Sequence, residues 1–260
     1  MRKFKAAFFD LDWTLYDHKN HGWDRESVEA IRQLKQRGTK VFICTARSYH
    51  SFLHLGAMNL GIVWDGYIAS AGGYCFADGK YLYTTRMKRD DVIRFLALAK
   101  ERGKTLELIE LKERKLMFPL NEAAKEFYRS FCEVVPEAQP YEGEDVEGIN
   151  FFSFPEDDEF FQKAFPHLLY YRYCDMAVDI TPVVHEKGKC VKKILSYYGI
   201  SKEESLGFGD DLQDLSLAKE VGYFICMGNG KEEVKQVADY VTETVWNGGV
   251  CKALKHLLEN

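Results

Sequence analysis

None of the seven cysteines in this chain stands in a C-x-x-C pair, and Cys44, Cys75, Cys132, Cys174, Cys190, Cys226 and Cys251 are odd in number. That spacing argues against a zinc site and a disulfide framework, and it points to a reducing cytoplasm in which the thiols are small core residues. No apolar run approaches the roughly 18 residues of a membrane span. The run that follows Met1-Arg2-Lys3 stops at Asp10, so no signal peptide is expected. Basic patches are missing as well. With a net charge of -5 and Lys and Arg dispersed among acids, neither nucleic acid nor a membrane is expected as a partner. Internal repeats and low-complexity tracts are absent, and His50 and His54 belong to no H-E-x-x-H motif, so they read as ordinary histidines. What remains is a chain of 260 residues, 46% hydrophobic, long enough for one large globular domain or two modest ones.

The stretch Phe8-Phe9-Asp10-Leu11-Asp12-Trp13-Thr14-Leu15 organises the rest. Residues 6–9 read as a buried parallel strand that ends in two carboxylates one residue apart. Ligands of open α/β sheets bind beyond the carboxyl ends of the strands, so Asp10 and Asp12 enter a crevice there. Two converging acids need a cation, and oxygen donors of this kind suit Mg2+. A lone D-x-D-x-T also recurs by chance as a turn, so the remaining sequence has to decide.

Asp24 caps a helix carrying Val28, Ile31 and Leu34 that stops at Gly38, and residues 40–44 form a second strand ending in Thr45-Ala46-Arg47. Ser48 caps a helix expected to run to about Gly61, a strand follows at 67–69, and Asp78-Gly79 marks a hairpin. Strand alternating with helix implies a parallel sheet. From 84 to 182 the rhythm changes to helices near 88–102, 121–131 and 157–165 and strand pieces at 106–109, 115–118, 149–154, 170–173 and 176–180. This reads as an inserted α+β domain. Its acidic clusters at 142–145 and 156–159 read as a solvated loop and a helix start, and its aromatic runs as core or sheet face. The parallel pattern then returns. A helix at 188–198, a strand at 205–208 and the loop Gly209-Asp210-Asp211-Leu212-Gln213-Asp214 are followed by a helix to Glu220 and a strand at 223–226. Helices to Ala238 and over 249–258 close the chain. The expected architecture is therefore α/β, a Rossmann-like parallel-sheet core from 1–83 and 183–260 with the insert at 84–182.

Asp10 with Asp12, Thr45, Lys187, and Asp210 with Asp214 all fall at strand ends or helix starts of this discontinuous sheet. They supply a carboxylate nucleophile, a second acid, a hydroxyl, a cation and a further metal-binding carboxylate, the set that phosphoryl transfer requires. In these motifs, in this order and over the whole chain, the sequence resembles the haloacid dehalogenase superfamily, in its large-capped, Cof-type branch. The resemblance implies a Mg2+-dependent phosphatase acting on a small phosphorylated metabolite, sugar phosphates being the usual class. It makes Asp10 the nucleophile and a Mg2+ ligand, and Asp12 the general acid and base whose main-chain carbonyl also meets the metal. Thr45 and the backbone N–H groups of Leu11 and Ala46 would hold the phosphoryl oxygens, with the Gln213 amide also able to reach phosphate. Lys187 would neutralise charge between Asp10 and phosphate, Asp210 would bind Mg2+, and Asp214 would approach the metal or orient its waters. Lys189 competes with Lys187 on spacing alone.

Three departures bear on substrate: Trp13 where the family usually has Gly, Gln213 for Asn, and Ala71 for Asn. A phosphomutase, or a regulator that binds a phosphometabolite without turnover, is the alternative reading. The latter has no need for Asp10, Asp12, Lys187 and Asp210 together. Activity is expected to vanish in chelator and to be inhibited by Ca2+, whose looser coordination spoils in-line geometry. Mg2+ and Lys187 are expected to keep Asp10 charged while a less compensated Asp12 holds a proton. The insert is expected to act as a lid that selects the leaving group, and the protein to be a monomer or weak homodimer.

Overall fold

The computed structural model describes residues 4–131 and 133–259; Cys132 and the Met1-Arg2-Lys3 start lie outside the described residues. Four apolar residues without exposed surface form β1 (Ala6–Phe9), as suits a strand covered on both faces. A short hairpin of β2 (Tyr16–Asp17) and β3 (Gly22–Trp23) follows, too brief to stand out as periodicity. Asp24 caps α1 (Arg25–Gln36) by accepting from Glu26 N at 3.2 Å and Ser27 N at 3.1 Å, and Val28, Ile31 and Leu34 give the helix one buried face. β4 (Lys40–Cys44) leads to α2 (Tyr49–His54), capped by Ser48. This helix is shorter than the expected run to Gly61, because Gly56 adopts a left-handed φ of 84° that ends helical continuation. Next come β5 (Gly66–Ala69), β6 (Tyr74–Ala77) and β7 (Lys80–Thr84). Asp78 and Gly79 between the last two both have positive φ, which a type I′ turn demands.

The middle of the chain comprises α3 (Arg89–Glu101), β8 (Thr105–Ile109), β9 (Arg114–Met117), α4 (Glu122–Ser130), β10 (Gly148–Phe152), α5 (Asp158–Ala164), β11 (Leu169–Cys174) and β12 (Ala177–Thr181). Its antiparallel sheet runs in the order β11-β12-β10-β8-β9. Leu106, Leu108, Ile149, Phe151, Val178 and Ile180 on one face pack with Phe95 of α3 and Phe161 of α5. On the other face Phe127 and Tyr128 of α4 meet Phe152 and Ala177.

The chain closes with α6 (Lys187–Tyr198), β13 (Ser205–Gly209), α7 (Asp214–Glu220), β14 (Tyr223–Cys226), α8 (Glu232–Lys235), β15 (Tyr240–Val241) and α9 (Gly249–Glu259). α8 stops short of the expected Ala238. The main sheet has the order β15-β14-β13-β1-β4-β5-β6-β7, parallel from β15 to β5, with β6 antiparallel to β5. β1 lies where the chain's progress across the sheet reverses, with β4 on one side and β13 on the other, and a ligand crevice forms beyond such a point. Phe8 stacks on Phe42 and Phe9 on Phe208, each pair at 5.0 Å, and these rings hold the three strands in register.

Contacts gather the chain into two units. One comprises the residues up to Arg47, Gly56–Tyr83 and the chain from Glu186 onward; the other comprises Ser48–Leu55 and Thr84–His185. α2 belongs to the second, where Ser51 Oγ donates to Glu133 Oε1 at 2.7 Å. The six described cysteines are free, and no helix among the described residues is long and apolar enough to cross a membrane.

In the first unit α6 packs on α7 through Gly188, where a Cβ would lie 2.1 Å from the Ser216 carbonyl oxygen. Gly188→Ala should therefore push the two helices apart and cost about 1–3 kcal/mol. A lower urea midpoint is expected, with Lys192→Ala on the exposed side of the same helix unchanged; equal midpoints for the two variants would refute this close contact.

Candidate active site

Five side chains of the first unit come from the ends of its central elements. Asp10 follows β1, Thr45 follows β4, Asp210 follows β13, and Lys187 and Asp214 open α6 and α7. Lys187 Nζ lies 2.7 Å from Asp10 Oδ1 and 2.6 Å from Asp214 Oδ1, with all three side chains buried. Asp214 is fixed from the other side, since its Oδ2 accepts from Asp210 N at 2.9 Å and Asp211 N at 3.1 Å. Thr14 Oγ1 donates to Asp210 Oδ1 at 3.3 Å. Oxygens of Asp10, Asp210 and Asp214 lie within 4.8 Å of one another.

Three carboxylates thus share one ammonium, which two of them contact, and the imbalance shows in the proton affinities of Asp10 and Asp210. Burial pushes Asp10 up to about 8; Lys187 pulls it down while Asp214 and Asp12 push it further up. Burial, with the charges of Asp10 and Asp214, pushes Asp210 up to about 9. Burial opposes the charge on Lys187, yet Asp10 and Asp214 hold its pKa well above the ordinary value. A hard divalent cation fits this donor set. It would bring the charge the cluster lacks, and among the described residues Asp10 Oδ2 and Asp210 Oδ2 accept no hydrogen bond. Both oxygens of Asp214, by contrast, are already engaged.

Asp12 turns elsewhere. Arg47 Nε lies 3.0 Å from its Oδ1 and 2.9 Å from its Oδ2, Arg47 Nη2 lies 2.8 Å from Oδ1, and His18 Nε2 lies 2.6 Å from Oδ1. Burial pushes this carboxyl up, but the His18 hydrogen bond and the Arg47 guanidinium outweigh it and hold Asp12 well below the usual range. Among the protein's own groups Asp12 is thus the better compensated of the two acids and Asp10 the worse, while the charge expected on Asp10 rests on Mg2+ as well as Lys187. Asp12 has two cationic or donor partners that its spacing does not announce, while Asp10 shares one ammonium with other acids.

Among the described residues the backbone N–H groups of Leu11, between the two acids in sequence, and of Ala46, next after Thr45, donate to no protein acceptor. Thr45 Oγ1 accepts from Arg47 N at 3.1 Å and keeps its proton for another partner. Gln213 Oε1 is buried without a partner. Lys189 is drawn away to the Tyr83 hydroxyl at 2.6 Å, so Lys187 alone of the two lysines reaches Asp10. Ala71 sits at φ 53° in a turn whose Gly72 backs onto the Glu186 carbonyl and Lys187 N, so the segment seats the start of α6. Trp13 has φ 60°, a left-handed conformation costly for a bulky residue. It is held because Trp13 N donates to Tyr16 O at 2.9 Å and Asn229 Nδ2 donates to Trp13 O at 2.8 Å. Arg47, His18 and Asn229 were missed as site residues. Only Arg47, two residues after Thr45, had a signal in the motif; nothing in the spacing marks the others.

Residues 7–254 match the family model described as haloacid dehalogenase-like hydrolase. A Geobacillus kaustophilus protein of solved structure superposes with a TM-score of 0.90 and 30% identity, covering 98% of this chain and 99% of that one. The structure of BT4131, a sugar phosphatase of HAD subclass IIB, superposes with a TM-score of 0.79 and 29% identity over 97% of this chain and 98% of its own. Phosphatase YwpJ of Bacillus subtilis is 27% identical over 290 residues, covering 98% of this chain and 100% of its own.

The raised carboxylates carry a stability consequence. Unfolded, Asp210 ionises near pH 4, at roughly 3.9; folded, it does so at about 9. Across that window the folded protein binds more protons, so this group lowers stability as pH rises. In chelator at pH 8, Asp210→Asn should melt higher than the parent by at least about 2 °C, with the gap closing toward pH 4. Mg2+ should raise the melting temperature of the parent and not of the variant; a variant that melts lower in chelator at pH 8 would contradict the charge imbalance.

Proposed function

The chain belongs to the haloacid dehalogenase-like hydrolase family, and from that premise we propose that it is a Mg2+-dependent phosphatase that hydrolyses a small phosphorylated metabolite through an aspartyl phosphate on Asp10. The observation that carries the reading is the buried cluster of Lys187 with Asp10 and Asp214, with an Asp210 oxygen within 4.8 Å of theirs. A carboxylate with a free oxygen, the cation that steadies it and a metal donor set meet there, beside the unused N–H groups of Leu11 and Ala46.

Asp10 attacks phosphorus in line, and the bond from phosphorus to the leaving oxygen breaks as the new bond forms. Asp12 gives its proton to that oxygen. A water then attacks phosphorus and passes its proton to Asp12, and the bond to Asp10 breaks to restore the carboxylate. Asp12 is already charged for the second role; for the first it must exchange an Arg47 contact for a proton. Lys187 offsets charge between Asp10 and the phosphoryl group, and Thr45 with the Leu11 and Ala46 N–H groups holds the phosphoryl oxygens. Asp10, Asp210 and the Asp12 main-chain carbonyl, with Asp214 beside them, would hold Mg2+, which would supply the positive charge that keeps Asp10 ionised and balances the phosphoryl oxygens.

In this reading residues 84–182 choose the substrate, and a sugar phosphate is the class they select. The likeness to BT4131, a sugar phosphatase alike over 97% of this chain at 29% identity, supports this class. Free thiols fit a cytoplasmic enzyme.

The test is a panel of phosphorylated metabolites assayed with Mg2+ and with chelator, using the parent and Asp12→Asn. Sugar phosphates should lead the panel, and chelator should abolish turnover. Asp12→Asn should lose about 100- to 10,000-fold on an alkyl phosphate and much less on an aryl phosphate, whose oxygen leaves unprotonated. Full activity in chelator, or equal losses on the two leaving groups, would count against the reading.

A further inference from the structure

An acid that protonates the leaving oxygen in one step and takes a proton from water in the next works best when the same oxygen points at the reacting atoms both times. Arg47 cannot select that oxygen through Nε, which lies 3.0 Å from one and 2.9 Å from the other. The asymmetry comes from elsewhere. Asp12 Oδ1 receives His18 Nε2 at 2.6 Å and Arg47 Nη2 at 2.8 Å in addition to Nε, whereas Oδ2 receives, among the described residues, Nε alone.

His18 is itself firmly placed. Asp17, its neighbour in the β2–β3 hairpin, accepts from Lys19 N at 2.8 Å, Asn20 N at 3.3 Å and Asn20 Nδ2 at 2.5 Å, which closes the turn that carries the ring. The imidazole packs between Trp13, at 5.0 Å between ring centres, and Tyr16, at 4.9 Å and edge-on. Tyr16 in turn meets Trp23 of β3 edge-on at 5.1 Å. The backbone of Trp13 is tied down, because Asn229 donates to its carbonyl from the same side chain whose Oδ1 accepts Val245 N at 2.8 Å. The hairpin and the turn after Asp12 together aim one ring nitrogen at one carboxylate oxygen.

We propose that His18 is a positioning residue for Asp12: it occupies Oδ1 and thereby leaves Oδ2 as the oxygen that exchanges the proton. The inference rests on Asp12 being the general acid and base. A misplacement of about 1 Å in such a group costs up to roughly 100-fold in rate, and loss of this contact removes part of the alignment while Arg47 keeps the rest.

The experiment compares kcat on one alkyl and one aryl phosphate at saturating Mg2+ for the parent, His18→Phe, His18→Asn, His18→Gln and Asp12→Asn. Phe keeps the ring against Trp13 and Tyr16 and deletes the nitrogen; Asn keeps a donor that falls short; Gln keeps a donor at about the reach of Nε2. The ratio of alkyl to aryl turnover should fall about tenfold in His18→Phe and His18→Asn, recover to within about threefold of the parent in His18→Gln, and collapse furthest in Asp12→Asn, with KM little changed. An unchanged ratio in the Phe and Asn variants, with the ratio collapsed in Asp12→Asn, would overturn the role of His18 and leave the acid–base assignment standing. Equal losses on both substrates without recovery in Gln would overturn it too, as the mark of lost packing. An unchanged ratio in Asp12→Asn would remove the acid–base assignment and this inference with it.

Discussion

Lys187 carries its charge at the first residue of a helix, where the aligned backbone dipoles already disfavour a cation. Its side chain is buried, so water offers nothing in return. The ammonium is tolerable only because Asp10 and Asp214 take it at 2.7 and 2.6 Å, and removing one partner of such a buried pair costs about 3–5 kcal/mol. Much of the first unit follows from that need. Asp214 opens α7 and collects the two N–H groups of the Asp210 loop, so one carboxylate fixes the lysine and the loop together. Gly188 lets α6 come down onto α7, and Gly72 lets the turn after β5 press against the Glu186–Lys187 backbone. With Asp210 beside Asp10 and Asp214, three acids and one cation leave a surplus of negative charge in a buried place, and a divalent metal is the partner that the proposed function assigns to that surplus.

The fold was legible where periodicity is long and where chemistry punctuates it. Asp24, Ser48 and Asn121 cap the helices that the sequence reading starts there, because a short polar side chain ahead of an apolar stripe has few other uses. Asp78-Gly79 makes the expected hairpin for the same local reason. Strands of two residues escaped. β2, β3 and β15 are held by tertiary contacts and bury too little to leave a pattern, and α2 and α8 end earlier than their apolar residues suggest because local backbone conformation overrides propensity. The grouping of Ser48–Leu55 with the second unit was not legible at all. It depends on contacts such as Ser51 with Glu133, which lie 82 residues apart.

The site divides along the same line. Asp10, Lys187, Asp210 and Asp214 meet as their placement at strand ends and helix starts implied, since a parallel sheet gathers those ends on one edge. The choice of Lys187 over Lys189 was open from spacing and is decided by direction along α6, one nitrogen reaching Asp10 and the other Tyr83. The ionisation of Asp12 could not be read, because its partners Arg47 and His18 are 35 and six residues away and neither separation implies contact. Spacing reveals which side chains share an edge; it does not reveal which charges they neutralise.

The central claim is that Asp10, and not its neighbour Asp12, carries the phosphoryl group. It is tested most directly by acid-quenching Asp12→Asn during turnover of an aryl phosphate, reducing with borohydride and mapping the peptides by mass. An acyl phosphate is reduced to an alcohol, so the account predicts homoserine at position 10 and unmodified residue at position 12. Reduction at any other carboxylate, or none in enzyme that is demonstrably turning over, would contradict it.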